Sequence, residues 1–598
     1  MHKFNLSQSL KNNYIIYIFV ISSLINSTLL LFTTTGLGNI RFILSDLVIL
    51  LLICSFSFLV KKRNLYFLIF SIILSSICCI NSVYYNNYND FASVYLFETM
   101  FQAFKLPSEA VTSVFQVSDF IFIWQILLMI ILYRMNKYEK NVINFKRSLL
   151  VTFSLFVIIL LTCTSNDIYR FTHDWNKSYV VRNFGIYSYQ VNDIFTVMKK
   201  FICPNCGKDE AQVIFDEYFR NKGTEENEYT NIFKDKNILF IHAESVQQMF
   251  LNSEINNQVI TPNLNKLASE GLYFSNYYSQ ESVGTSSDTE FTITNSILPV
   301  GTGTVFINYD YNNYQSMIKS FEEIGYYTFS MHGNICEYWN RSQMYQAIGY
   351  DRFYCYNDYD LTDQIGIGLS DKSFFSQSAD IISDIHNNHD KFYGTLIMLT
   401  NHTPFYNDGK VEFDVGNMEG TKIGNYLKLL HYADEAIGEF ITKLDDLGVL
   451  EDTVIVIYGD HDAKFTIKQY EEYLGKDIDF YEYEQLTKVP LIIWTKDKQV
   501  QGEITKIMGA YDVMPTLANM FDFEYEYALG HDIFSIDENI VVFPNGNWVT
   551  DKVYYNNQLS DYKVYNEVSE EYLKENEEKA KKVVEISNYL IRYNLFNN

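Results

Sequence analysis

The chain has 598 residues, 17% of them aromatic, and a formal net charge of −26. That length exceeds one ordinary domain, and an acidic chain without a basic stripe argues against a nucleic-acid partner. The charge is unevenly spread: residues 1–165 carry 12 Lys and Arg against 6 Asp and Glu, leaving a balance of −32 on the rest.

No charged residue lies between Lys11 and Arg41, a run long enough to cross a hydrocarbon core of ~30 Å, which takes about 20 helical residues. Further apolar runs follow at 42–60, 64–83, 114–133 and 148–165. A five-helix transmembrane region over 1–165 is therefore expected, with the two termini on opposite sides. Lys3, Lys11, Lys61, Lys62, Arg63, Arg134, Lys137, Lys140, Lys146 and Arg147 all fall on one side of such an arrangement. The positive-inside rule makes that side cytoplasmic. The protein then reads as multi-pass in the cell membrane, with the loop 84–113 and the acidic C-terminal portion extracellular. Asp46 and Asp119, in or near spans, read either as functional intramembrane acids or as interfacial residues.

Cys54, Cys78, Cys79 and Cys163 fall in the spans and are expected to pack. Cys203 and Cys206, in a lone CPNC, form a plausible short-range disulfide, since zinc would need two more ligands. Cys336 and Cys355 are a second candidate pair.

Residues 166–230 read as a polar linker with helical stretches, for example near 188–200. From Asn237 to about 536, strand-like runs (NILFIHAES, GYYTFSMHG, KFYGTLIMLTNH, TVIVIYGDH, VPLIIWT) alternate with helix-like segments near 262–270 and 425–447. This is the βαβ pattern of an open α/β sheet with helices on both faces. Over 537–598, short strands joined by Asn and Gly turns predict a small antiparallel β subdomain and a charged terminal helix from about 567 to 593, its charges read as a solvated face.

Chemistry concentrates at three strand ends or loops. Glu244 closes the first α/β strand, Asp460 and His461 follow the apolar run 454–458, and Gly459 permits a tight exit. Two carboxylates and an imidazole offer oxygen and nitrogen donors for a divalent ion. Between them lies GTSSDTEF, in which Ser287 and Glu290 have capping-box spacing. A helix start there favours an anion, either an alkoxide or a substrate phosphate. Each motif has a plainer reading by itself, a polar strand end or a helix cap, and the combination carries the chemistry.

Together these stretches resemble the lipoteichoic acid synthase family of membrane phosphoglycerol transferases, within the sulfatase and alkaline phosphatase superfamily. The matching segments are IHAESVQQMF, GTSSDTEFTITNSILP, MHGNICEYWNRSQMY, LTNHTPF, YGDHD and DVMPTL followed by GHDIFS. The resemblance implies a sulfatase-like α/β domain over 231–536 in which Glu244, Asp460 and His461 bind a divalent ion, usually Mn2+, with Mg2+ or Zn2+ as alternatives. The nucleophilic hydroxyl is the fourth ligand. That hydroxyl falls on Ser286, where the family usually has Thr, and Thr285 is the rival. His332, Trp339, Arg341 and His402 would surround the glycerophosphate. Asn334 stands where the family typically has Asp, which leaves the head group open. The implied reaction takes phosphoglycerol from phosphatidylglycerol, by way of a covalent intermediate, to a glycolipid or growing polyglycerolphosphate acceptor. The alternatives are transfer of another head group, such as phosphoethanolamine, or hydrolysis of phosphate or sulfate esters. The Cys/Ser-x-Pro-x-Arg sulfatase signature is absent around 284–290.

Overall fold

A computed structural model describes residues 14–88, 90–96, 115–135, 145–173, 175–219, 226–407 and 409–596. Most of the loop 84–113, along with Lys3, Lys11, Lys137 and Lys140, lies outside the described residues. The chain divides into two compact units, one containing the apolar helices and ending near Pro204, the other containing the sheet.

In the first unit helices cover each of the five apolar runs: Tyr14–Thr33, Arg41–Ser57, Arg63–Tyr88, Val117–Met135 and Phe145–Leu161. Three of these are long and apolar enough to cross a membrane, or four if the bent pair Phe145–Leu161 and Ser165–Thr172 counts as one span. By length and composition, then, three or four of the five expected spans are supported. Arg41–Ser57, with 17 residues, gives about 26 Å of helix at ~1.5 Å per residue, short of a ~30 Å core. Helices Ser165–Thr172, Lys177–Phe184, Ile186–Ile202 and Lys208–Phe219 occupy most of the segment 166–230.

Asp46 and Asp119 are helix caps. Asp46 accepts the N–H groups of Tyr187 at 3.0 Å and Ser188 at 3.1 Å, and the Ser27 hydroxyl, at the start of Ile186–Ile202. Those amides have no partner within their own helix. Gly185, at φ +84°, brings the chain so close to the Asp46 carboxyl that a Cβ would lie 2.3 Å from it. Asp119 accepts from Gln116 N at 2.8 Å and Ser82 Oγ at 2.7 Å.

The second unit is built on an eight-stranded sheet. Its strands are β1 (Asn237–Ala243), β2 (Leu272–Phe274), β3 (Tyr327–His332), β4 (Arg352–Tyr354), β5 (Phe392–Ile397), β6 (Thr453–Gly459), β7 (Leu491–Thr495) and β8 (Gly502–Ile504). They lie in the order β8-β2-β7-β6-β1-β5-β3-β4. Only β7 runs against the others, and the parallel centre is buried on both faces, which accounts for the near-continuous apolar runs in the sequence. Alternation along β1 sends Leu239 and Ile241 into a core shared with helices Asp371–Asn388 and Lys422–Asp446. Phe240 faces the other way, toward Ile293, Tyr345, Tyr393 and Tyr458.

Register places four strand ends side by side. Ala243 pairs with Gly459, His242 with Ile397, and Ile397 with His332, so β6, β1, β5 and β3 finish level. Ligands of open α/β sheets bind at this carboxyl edge.

Strands β9 (Val541–Val542), β10 (Trp548–Val549), β11 (Val553–Asn556) and β12 (Asp561–Val564) form the expected antiparallel meander. The terminal helix Glu570–Tyr593 does more than present charge to water. Val583, Val584, Ile586, Leu590 and Ile591 are buried, and Ser587 Oγ donates to Leu298 O at 2.6 Å.

Candidate active site

Glu244 leaves the end of β1, and its backbone carbonyl accepts from Asn401 Nδ2 at 3.1 Å. Asp460 follows β6; its Oδ1 accepts from Ser245 N at 2.7 Å and from His461 N at 2.8 Å. The tight exit needs Gly459 because a Cβ there would lie 2.2 Å from Val246 O. That is a demand for space, with no left-handed φ at this residue.

The third part is the helix Ser286–Asn295, whose ten residues are all buried. It does not begin as a capping box. Thr285 occupies the cap position at φ +43° with no side-chain cap, Ser287 Oγ donates to Gly284 O at 2.8 Å, and Glu290 turns to Arg341. The reason is register: the helix has already started at Ser286, so Ser287 lies inside it. Asp288 curls the preceding loop by accepting Ser282 N and Gly284 N at 3.0 and 2.8 Å.

These three pieces meet. Ser286 Oγ lies 3.2 Å from His461 Nε2 and 3.4 Å from Glu244 Oε2. His461 Nε2 is 3.2 Å from Asp460 Oδ2 and 3.6 Å from Glu244 Oε1. Thr285, half-exposed beside Ser286, has no hydrogen bond to the cluster among the described residues. His242, two residues before Glu244 on β1, joins the group and was absent from the sequence-derived set. Its Nε2 lies 3.0 Å from Asp460 Oδ2 and its Nδ1 2.9 Å from Tyr458 Oη, and His242, Glu244 and Asp460 have ligand atoms within 4.8 Å of one another. The signal available was the His-x-Glu spacing, which puts both residues on one face of a strand.

The donors fit a divalent cation. His461 Nδ1 is 2.8 Å from Asp462 O, so its N–H is used there and Nε2 can present a lone pair to the cluster, the tautomer control common at metal-ligating histidines. Burial, and then the charge of Asp460, push the Glu244 carboxyl up to about 8. Asp460 is held below the usual carboxylate range because His461 and His242 outweigh its burial. Burial alone would lower the His461 pKa, but Asp460 and Glu244 raise it. Without a cation, then, near pH 7 Glu244 keeps its proton, and a bound cation would displace it. We expect Mn2+ affinity of the protein to rise from pH 6 to about 8 and then level off, with proton release visible by calorimetry in buffers of different ionisation heat. Affinity flat across that range would remove Glu244 from the ligand set.

On the β3 side, His332 Nδ1 faces Ile397 O at 3.3 Å while its Nε2 is buried without a hydrogen-bond partner in the protein. Burial, then the charge of Arg341, drive its pKa well below the usual histidine value. His332 is neutral, and with Nδ1–H donated to the carbonyl its Nε2 is an acceptor suited to a hydroxyl. Arg341 starts the helix Arg341–Ile348 and is also buried. Its Nε and Nη2 donate to Glu290 Oε1 at 3.1 and 2.5 Å, and its Nη1 has no hydrogen-bond partner in the protein. Its charge reaches Glu244, His332 and His402. Trp339, at φ +55°, is half-buried edge-on to Tyr338. Asn334 Oδ1 accepts from Ile335 N at 2.7 Å, and His402 is half-buried on the loop after β5. Among the described residues no hydrogen bond ties Trp339, Asn334 or His402 to the carboxylate–imidazole cluster. The Cys336–Cys355 disulfide, with Cα atoms 5.4 Å apart, staples the loop carrying Trp339 and Arg341 to the end of β4. Cys203 and Cys206 are also disulfide-bonded.

Comparison with known proteins agrees with the fold. Residues 1–202 match the sequence model of the lipoteichoic acid synthase N-terminal domain, and residues 236–523 that of the Sulfatase family. A lipoteichoic acid synthase of Staphylococcus saprophyticus is 32% identical over 550 residues, 88% of this chain and 84% of the relative. Lipoteichoic acid synthase 1 of Bacillus subtilis is 30% identical over 538 residues, 87% of this chain and 82% of the relative. The crystal structure of the lipoteichoic acid synthase LtaP from Listeria monocytogenes superposes with a TM-score of 0.58 at 27% identity, over 64% of this chain and 98% of its own.

Proposed function

The chain belongs to the lipoteichoic acid synthase family, and from that premise we propose that it transfers phosphoglycerol from phosphatidylglycerol to a glycolipid or growing polyglycerolphosphate chain through a covalent intermediate on Ser286. It is a phosphotransferase with an N-terminal transmembrane region. The observation that carries the reading is the buried Ser286 hydroxyl at a helix start, within 3.4 Å of both His461 and Glu244.

Ser286 Oγ attacks the phosphorus of the donor lipid. The Oγ–P bond forms, the bond from phosphorus to the diacylglycerol oxygen breaks, the serine proton is lost, and the departing oxygen gains one. In the second half the acceptor hydroxyl attacks the same phosphorus, gives up its proton, and Ser286 leaves with one regained. Glu244, Asp460 and His461 would hold a divalent cation, Mn2+ by family resemblance, which would supply charge that favours ionisation of the serine and offsets the phosphoryl oxygens. Arg341 Nη1 donates to a phosphate oxygen. His332 Nε2 accepts from a glycerol hydroxyl, Trp339 packs against the glycerol carbons, and His402, on the loop after β5, exchanges protons with the leaving and entering oxygens.

The catalytic unit lies outside the cell, on the strength of the basic residues 61–63 and 134–147 and the positive-inside rule. Under this topology the membrane region is multi-pass, and if both short helices Arg41–Ser57 and Phe145–Leu161 cross, the spans number five.

The test is incubation of the purified full-length protein with labelled phosphatidylglycerol and Mn2+. The expected products are diacylglycerol and a lipid extended by glycerol phosphate. Diacylglycerol and free glycerol phosphate in equal amounts, with every lipid acceptor supplied, would make it a hydrolase.

A further inference from the structure

Beside the carboxylate–imidazole cluster lies a bridge of three charged side chains that has no part in the chemistry above. Lys464 Nζ is 2.9 Å from Glu281 Oε1 and 2.6 Å from Asp462 Oδ1, and Lys464 N donates to Asp462 Oδ2 at 3.1 Å. The two carboxylate side chains are only 14% and 6% exposed, so the bridge escapes most of the screening that weakens surface pairs. Burial would raise the Glu281 pKa, but Lys464, followed by His461, more than reverses this. Lys464 also sits at φ +51°, a left-handed conformation uncommon outside glycine. Its carbonyl accepts from Lys422 Nζ at 2.8 Å, so its backbone is held while its ammonium reaches across to the other loop.

The two carboxylates belong to the two halves of the candidate active site. Asp462 follows His461, and its carbonyl faces His461 Nδ1 at 2.8 Å. Glu281 lies on the loop leading to Ser286, and that loop is tied to the helix start because Asp288 accepts Ser282 N and Gly284 N. A shift of Glu281 is thereby passed toward Ser286. We propose that Lys464 is a positioning residue, whose ammonium clamps the Ser286 loop to the His461 loop and so holds the nucleophilic hydroxyl against the imidazole. This rests on the reading of Ser286 as the nucleophile. Thr289 Oγ1 already joins the helix to Asp460 O at 2.7 Å, but one hydrogen bond leaves the helix free to turn about it. The Glu281–Lys464–Asp462 bridge is a second tie, and two ties fix an orientation. Orientation is what the reaction needs, since a misplacement of about 1 Å costs on the order of 10^2-fold in rate.

The test compares full-length Lys464→Met, Glu281→Met, the double variant and Lys464→Arg with the parent protein. Without substrate, amide hydrogen exchange over 279–286 and 461–466 should quicken about fivefold in Lys464→Met, with the rest of the second unit unchanged. Turnover of phosphatidylglycerol should fall roughly 10-fold or more through kcat, with KM and Mn2+ affinity near the parent's. Glu281→Met should show a similar loss, and the double variant no further loss, because both substitutions open the same tie. Lys464→Arg should stay near the parent in both readouts, since a guanidinium still pairs with both carboxylates. Unchanged exchange in Lys464→Met overturns the clamp. Faster exchange with parental turnover, or losses that multiply in the double variant, overturn the positioning role. If the parent itself turns over no phosphatidylglycerol, the proposed reaction fails, and the exchange result still decides whether Lys464 clamps the two loops.

Discussion

Ser286→Ala is expected to lower phosphatidylglycerol turnover by roughly 10^3-fold or more, the scale seen when an enzyme loses its nucleophile, and to abolish any covalent adduct. Ser286→Thr should retain measurable turnover, because it keeps a hydroxyl at the same Cβ and Thr is the residue the family resemblance expects there. Thr285→Ala should be mild. The local structure separates the two candidates: Ser286 is the first residue of the buried helix with its Oγ on His461 Nε2, whereas Thr285 is half-exposed in the turn before it. Mn2+ binding should survive Ser286→Ala, since Glu244, Asp460 and His461 remain. A glycerophosphoryl adduct found by mass spectrometry on Thr285 would falsify the assignment.

The parts of this site legible in the sequence were those written locally. Glu244, Asp460 and His461 sit at the ends of apolar runs, and in a parallel sheet the ends of neighbouring strands are brought level by register, so residues over 200 positions apart converge. The strand alternation and the antiparallel meander were likewise readable from pattern, whereas the Cys336–Cys355 disulfide, between residues 19 apart, was open until the fold brought them together. Long-range pairing was not readable. Ser287 and Glu290 have capping-box spacing, yet Glu290 is committed to Arg341, 51 residues away, and no local pattern reports such a partner. His242 was overlooked for a similar reason, since its role depends on Asp460 from a different strand. Hydropathy found the five apolar helices of the first unit, but it could not separate a helix that spans from one a few residues short. Helix length decides that, and boundaries are where sequence patterns are weakest.

Glu290→Gln should damage both stability and catalysis, and the way the two losses combine tests the role given to Arg341. The Arg341 guanidinium is buried; burial disfavours its charge, and the Glu290 carboxylate more than reverses this. Tyr345 Oη also donates to Glu290, at 2.5 Å, so one carboxylate holds the fork and its neighbour. Removing that charge leaves a buried cation unpaired, a loss of about 3–5 kcal/mol in comparable pairs, and it frees Nε and Nη2 to pull the fork from the orientation that leaves Nη1 open. Turnover should fall with stability, while Mn2+ affinity changes little. The double variant Glu290→Gln with Arg341→Met removes both charges, so it should regain most of the stability but none of the turnover, because no donor remains for the phosphate. If the double variant is as active as the parent, Arg341 is only part of the scaffold and the substrate's phosphate is bound elsewhere.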